Sequence, residues 1–275
     1  MLERLKYKNH LNEVIDFGKD GIFVNTNDLH DYEWTVTKKN NKIAAFSKGV
    51  SNRKLPITII CDTEGKGIAA RNKLMEMVEK DVLAFSPGQI ILGDYLFKCY
   101  VTKSEKKNYL ATKRLMEVTL TLTSDFPFWI KEKTFSFGVS SNPGIITGEE
   151  DYPFDYPFDY LESSSSSPIN NSNFVASNFR LLIYGACTSP AIIIGNHTYK
   201  VNCTVNAGEY LTIDSTTKQI FITGIDGTIT NVFNLRDRDS YIFEKIPVGA
   251  STVAWGGGYG FDLILLEERS EPKWT

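Results

Sequence analysis

Long apolar runs are missing from this sequence. The longest, such as AIII at 191–194 and LILL at 263–266, reach four residues, where a membrane-crossing helix needs about 20. The opening MLERLKYKNHLNEVIDFG likewise holds no continuous apolar core of a secretion signal, so the expectation is a soluble, unsecreted chain without membrane insertion. Cysteine is scarce. The four present, Cys61, Cys99, Cys187 and Cys203, form no C-x-x-C pair, which argues against a zinc ribbon or a dithiol redox motif. Two of them sit in apolar alternation, where a thiol serves as a small hydrophobe, so buried reduced thiols are expected.

Histidine is scarcer still: His10, His30 and His197 lie far apart and outside any H-E-x-x-H frame. There is no G-x-S-x-G nucleophile elbow. EGKG at 64–67 lacks the frame of a phosphate-cradling loop, RDRD at 236–239 lacks the glycine and glutamate of a calcium loop, and GGGYG at 256–260 reads as a turn between strands. Adjacent acids such as Glu149-Glu150 and Glu267-Glu268 would point to opposite faces of a strand, which makes them poor partners for acid-base work. The expectation is therefore no catalytic residue, no cofactor-binding residue, no metal ligand and no enzyme. Sequons begin at Asn170, Asn196 and Asn202, but without a secretion signal they carry little meaning.

What is present is period-two alternation. In LMEVTLTLT (115–123), Met116, Val118, Leu120 and Leu122 face one way, while Glu117 and three threonines face the other. YEWTVT (32–37), ITIIC (57–61) and FKCYV (97–101) read as further strands of one sheet. A single helix is expected over 66–83, with Ile68, Ala70, Leu74, Met75, Met77, Val78 and Val82 as its apolar side and SPG at 86–88 as its stop. After residue 168 short strands recur without helical period. TYKVNCTV alternates, and QIFITGIDGTIT carries Asp226-Gly227, a hairpin signal whose turn favours positive φ. That spacing argues for a β-sandwich.

Between these blocks lies DYPFDYPFDYLESSSSS (151–167). Its prolines forbid helix and its serines bury no apolar area, so it reads as a joint, with some of its aromatics expected to dock on a protein surface. The expected organisation is mainly β: a β-rich N-terminal domain (1–140) with one packed helix, a connector (141–167) and a C-terminal β-sandwich (168–275). Charge is uneven, with 22 Lys+Arg against 17 Asp+Glu in 1–140 and 8 against 16 in 141–275. The basic clusters TKKNNK and KSEKKNYLATKR lack interleaved aromatics, so a solvated surface is expected and no sequence-specific nucleic-acid binding.

The order of features carries a resemblance. MEVTLTLTSDFPFWI closes the first block; SPAIIIGNHTYKVN, GEYLTIDSTTKQIF, IPVGASTVAW and a final LLEERSEPKW follow the connector. Across nearly the whole chain this set resembles the distal tail protein family of long-tailed bacteriophages and related prophage tail particles. The resemblance implies a homohexameric ring built by the N-terminal domain. It places that ring in the virion tail, between the tail tube protein and a hub, lysin or fibre protein. It also implies a galectin-like or carbohydrate-module-like C-terminal domain, with a receptor-binding protein or host saccharide as candidate contact. The alternative is a free carbohydrate-binding module joined to a β-rich adaptor. Saccharide stacking finds little support in the residues, since Trp255 and Trp274 are isolated and Trp255 falls where a core residue belongs.

Overall fold

The computed structural model describes residues 5–19, 21–60, 66–109, 115–139 and 165–273. Most of the connector read from sequence, along with Cys61 and Trp274, lies outside the described residues. The chain is mainly β and divides into two compact units, one of 1–131 with 268–275, the other of 132–267.

In the first unit the order is β1 (Leu5–Lys8), β2 (Val14–Asp16), β3 (Ile22–Val24), β4 (Thr35–Lys39), β5 (Lys42–Ser47), β6 (Ser51–Ile60), α1 (Lys66–Leu83), β7 (Gly88–Leu92), β8 (Tyr95–Tyr109), β9 (Leu115–Ser124) and the start of β10 (Trp129–Phe137). The strand β8 does two jobs. Its first half pairs with β7 and β10, and its second half pairs with β9. Register shifts at Val101/Lys103 and Lys106/Asn108 mark bulges in that second half, the device that bends and twists a strand. One run of the sheet is β2-β1-β7-β8-β10; another is β3-β6-β9-β8. Alternation decides which side chains are enclosed: Leu55, Ile57 and Ile59 of β6 meet Met116, Val118, Leu120 and Leu122 of β9 in one core.

The helix has the bounds that the periodicity predicts. It buries Leu74, Met77 and Val78, each worth about 1.5–3 kcal/mol of apolar burial. Two members of the expected stripe, Ile68 and Val82, are exposed, and Asp81 is fully buried on the side where the spacing of Leu74, Met77 and Val78 continues. YEWTVT also departs from expectation: the strand begins at Thr35, and no residue of β4 is buried.

The second unit continues β10 and adds β11 (Ser165–Asn171), β12 (Asn178–Tyr184), β13 (Cys187–Thr188), β14 (Ala191–Ile194), β15 (His197–Lys200), β16 (Thr204–Val205), β17 (Tyr210–Asp214), β18 (Gln219–Thr223), β19 (Ile229–Asn231), β20 (Gly249–Trp255) and β21 (Phe261–Arg269). Strands β19-β18-β17-β12-β21 form one sheet run and β11-β20-β14-β15 a separate sheet. Phe179, Leu181, Ile183, Leu211 and Ile213 from the first share a core with Ile192, Ile194, Val253 and Trp255 from the second, which is sandwich packing. The hairpin expected at Asp226-Gly227 forms between β18 and β19, through a loop of Gly224 to Thr228 in which Gly227 takes φ of 82°. Cys99 and Cys203 are buried free thiols and Cys187 is a partly exposed one, with burial holding Cys99 up at about 12 and Cys203 at about 11.

Candidate assembly surfaces

The hairpin β4–β5 is the most unusual feature of the first unit. Its two strands form a sheet of their own, and every residue in both is exposed. The sequence KKNNK explains its turn. Lys39 pairs with Lys42, leaving Asn40 and Asn41 as a two-residue loop with φ of 50° and 57°, and asparagine tolerates the left-handed backbone that such a loop needs. The arms carry Val36, Ile43 and Phe46, with Ile43 60% and Phe46 59% exposed, and Val36 pairs directly with Phe46. A lone two-stranded hairpin is marginal in water, and both of its edges offer unpaired backbone groups. Val36, Ile43 and Phe46 thus make an exposed apolar group on this hairpin.

The root of the hairpin is, by contrast, firmly held. The Lys48 ammonium sits 5.2, 4.8 and 4.5 Å from the ring centroids of Tyr32, Trp34 and Phe128. It donates to Ser270 Oγ at 2.8 Å and lies 3.5 Å from the carbonyl of Pro127. Two motifs far apart in the sequence, DFPFW and ERSEPK, therefore meet on one lysine. Burial, aided by the nearby Arg53 guanidinium, brings the Lys48 pKa down from 10.5 to about 8. Between those two values the unfolded chain carries a proton that the folded chain has released, so the contribution of this group to stability rises with pH across the window. We expect the parent to gain stability relative to Lys48→Met between pH 8 and pH 10, read as the difference in urea midpoint at each pH.

Beside this root a cleft of about 470 Å³ is lined by Asp28, Asp31, Tyr32, Glu33, Lys48 and Arg53, among others. Asp28 accepts the backbone N–H of Lys54 at 2.5 Å, and Arg53 lies buried with its guanidinium 4.4 Å from the Phe97 ring centroid and donates to the carbonyl of Leu29. These are structural contacts.

The three histidines have separate partners. His10 donates its backbone N–H to Asp81 at 2.9 Å and also places its ring against that carboxylate. His30 lies 3.8 Å from Glu271 and stacks on Trp129, while His197 contacts the Tyr241 carbonyl at 2.8 Å. Among the described residues no group of three or more His, Cys, Asp or Glu is placed to hold a metal ion, and no helix is long and apolar enough to cross a membrane. Trp255 packs against Phe137 and Phe261 in the core of the second unit.

Two β-built units, one with a single helix and an exposed hairpin, make up a fold shared with bacteriophage hub and baseplate proteins. No family model and no curated protein matches the sequence. In particular, the chain is similar to the Dit protein of phage SPP1, described as a paradigm of the hub adsorption apparatus in phages infecting Gram-positive hosts. That likeness has a TM-score of 0.56 at 10% identity over 96% of this chain and 99% of that one. It is also similar to a chain of the phage P2 baseplate in its activated conformation, with TM-scores of 0.64 in the calcium form and 0.63 in the strontium form. Identity in both is 12%, over 99% of this chain and 100% of the other. The fold is thus that of the family which the sequence resembles.

Proposed function

We propose that this chain is a structural component of a bacteriophage or prophage tail tip, located in the virion tail and without catalytic activity. Its first unit closes into a hexameric ring at the end of the tail tube, and that ring joins the tube protein to a hub, lysin or fibre protein. The second unit stands as a contact body for a receptor-binding protein or host saccharide. One observation carries the reading: a fold shared over nearly the full chain with tail-hub proteins, bearing a hairpin exposed on all sides. A ring subunit needs heterologous surfaces that close on rotation, and an unpartnered arm supplies one of them.

The test is size-exclusion chromatography with light scattering on the full chain over a wide concentration range, together with negative-stain microscopy. A mass of six 31.0 kDa subunits and six-fold rings are expected at high concentration. A single-subunit mass at every concentration, with no ring on the grid, would overturn the proposal.

A further inference from the structure

The end of α1 breaks two rules at once. Its last turn closes with Ser86 N–H donating to Asp81 O and Phe85 N–H to Val82 O, the paired bonds of a Schellman cap. The residue after the helix cap in that motif takes left-handed backbone and is usually glycine; here it is Phe85, at φ of 50°. For a bulky aromatic residue that backbone is strained, and strain of this kind persists where something other than local stability selects it. Nor does Phe85 offset the strain by burial. It is 87% exposed and Leu83 is 81% exposed, with Val82 and the Tyr100 ring, stacked on Phe85 at 6.0 Å, completing the patch.

Charge separates this patch from the hairpin. Glu76, Glu79 and Leu83 recur at helical spacing on one side of α1, and both glutamates are exposed without an ion-pair partner among the described residues. The hairpin sets Lys38, Lys39 and Lys42 around Val36, Ile43 and Phe46, and these lysines are unpaired in the same sense. One unit therefore carries two uncovered apolar surfaces on different elements, one edged with acid and the other with base. Within a single copy they do not cover each other.

We infer that the end of α1, formed by Val82, Leu83, Phe85 and Tyr100, is the seat on which the β4–β5 hairpin of a neighbouring copy docks. This rests on the ring reading above and names the two halves of its contact. Apolar arms cover Leu83 and Phe85, while the lysines of the turn reach Glu76 and Glu79. The contact is heterologous, so each copy offers one hairpin and one seat, which is what a closing ring requires.

Phe85→Gly is the decisive variant, because glycine suits the left-handed cap. Its unfolding midpoint is expected to be unchanged or raised, whereas the dissociation constant for assembly rises at least about tenfold, as removal of a central aromatic anchor does. A photo-crosslinking phenylalanine analogue at Phe46 of the full chain is expected to label the segment 76–85 of a second copy. If the parent assembles but the label falls elsewhere and Phe85→Gly assembles as well as the parent, the docking is wrong and the ring reading survives. A parent that stays monomeric at every concentration removes both.

Discussion

Asp81→Ala is expected to cost the first unit about 3 kcal/mol, a large share of the roughly 5–15 kcal/mol that a domain possesses. The Asp81 carboxylate is fully buried, accepting hydrogen bonds from the Tyr7 hydroxyl and the His10 backbone N–H, and so ties α1 to the strand β1 and the turn that follows it. Burial, with Asp81 alongside, pushes the Tyr7 phenol well above its ordinary range, so Tyr7 remains a donor throughout the accessible pH range. Removing the acceptor leaves two donors short of partners in a place water reaches poorly, and such orphans cost about 1–3 kcal/mol each.

Gly88→Ala should produce a loss of similar size by a different route. A Cβ at residue 88 would lie 2.3 Å from Asp81 Oδ2 and 2.3 Å from the Tyr7 hydroxyl, so the pair must separate to admit it. The two losses should not add. In the double variant the new methyl occupies space that the carboxylate has vacated, so the combined loss is expected to fall short of the sum by at least about 1 kcal/mol. Urea unfolding of the four members of the cycle, followed by circular dichroism, measures this directly. Strict additivity would mean that Gly88 and Asp81 are not packed as described.

These two residues mark where the sequence is hardest to read. Alternation in LMEVTLTLT places β9, and the period of KGIAARNKLMEMVEKDVL places α1 at its observed ends, because each pattern is local and repeats. Asp81 is charged, and an amphipathic reading sends charge outward. A visible signal existed nonetheless, since Leu74, Met77, Val78 and Asp81 continue one face at three- and four-residue spacing. The root of the hairpin had no such signal. Lys48 reaches Ser270 across 222 residues and Pro127 across 79, and no periodicity reports contacts of that range. YEWTVT misled for a related reason: alternation states that one face differs from the other, but not that either is covered. In β4 and β5 neither face is, and this exposure, read only from structure, marks the surface on which the proposed assembly depends.

The other large effect is expected at Trp129, which ends the strand-corner motif SDFPFW. The ring is fully buried, 5.4 Å from the Phe97 centroid, and its Nε1 donates to the Leu29 carbonyl at 3.2 Å. Trp129→Ala should destabilise the first unit by about 3–5 kcal/mol, through lost burial and the cavity that remains. In Trp129→Phe the lost hydrogen bond should add little to the cost of the smaller ring. The Leu29 carbonyl also accepts from Arg53, so it keeps a partner when the indole N–H is gone. Arg53→Met removes that second donor and, with it, the guanidinium charge that helps to hold the Lys48 pKa near 8. The pKa of Lys48 should therefore rise in Arg53→Met and stay put in Trp129→Phe, as followed by NMR titration of the labelled lysine side chain. If both variants left the lysine titration unmoved, Arg53 would have no electrostatic hold on the root of the hairpin, and burial alone would set its charge.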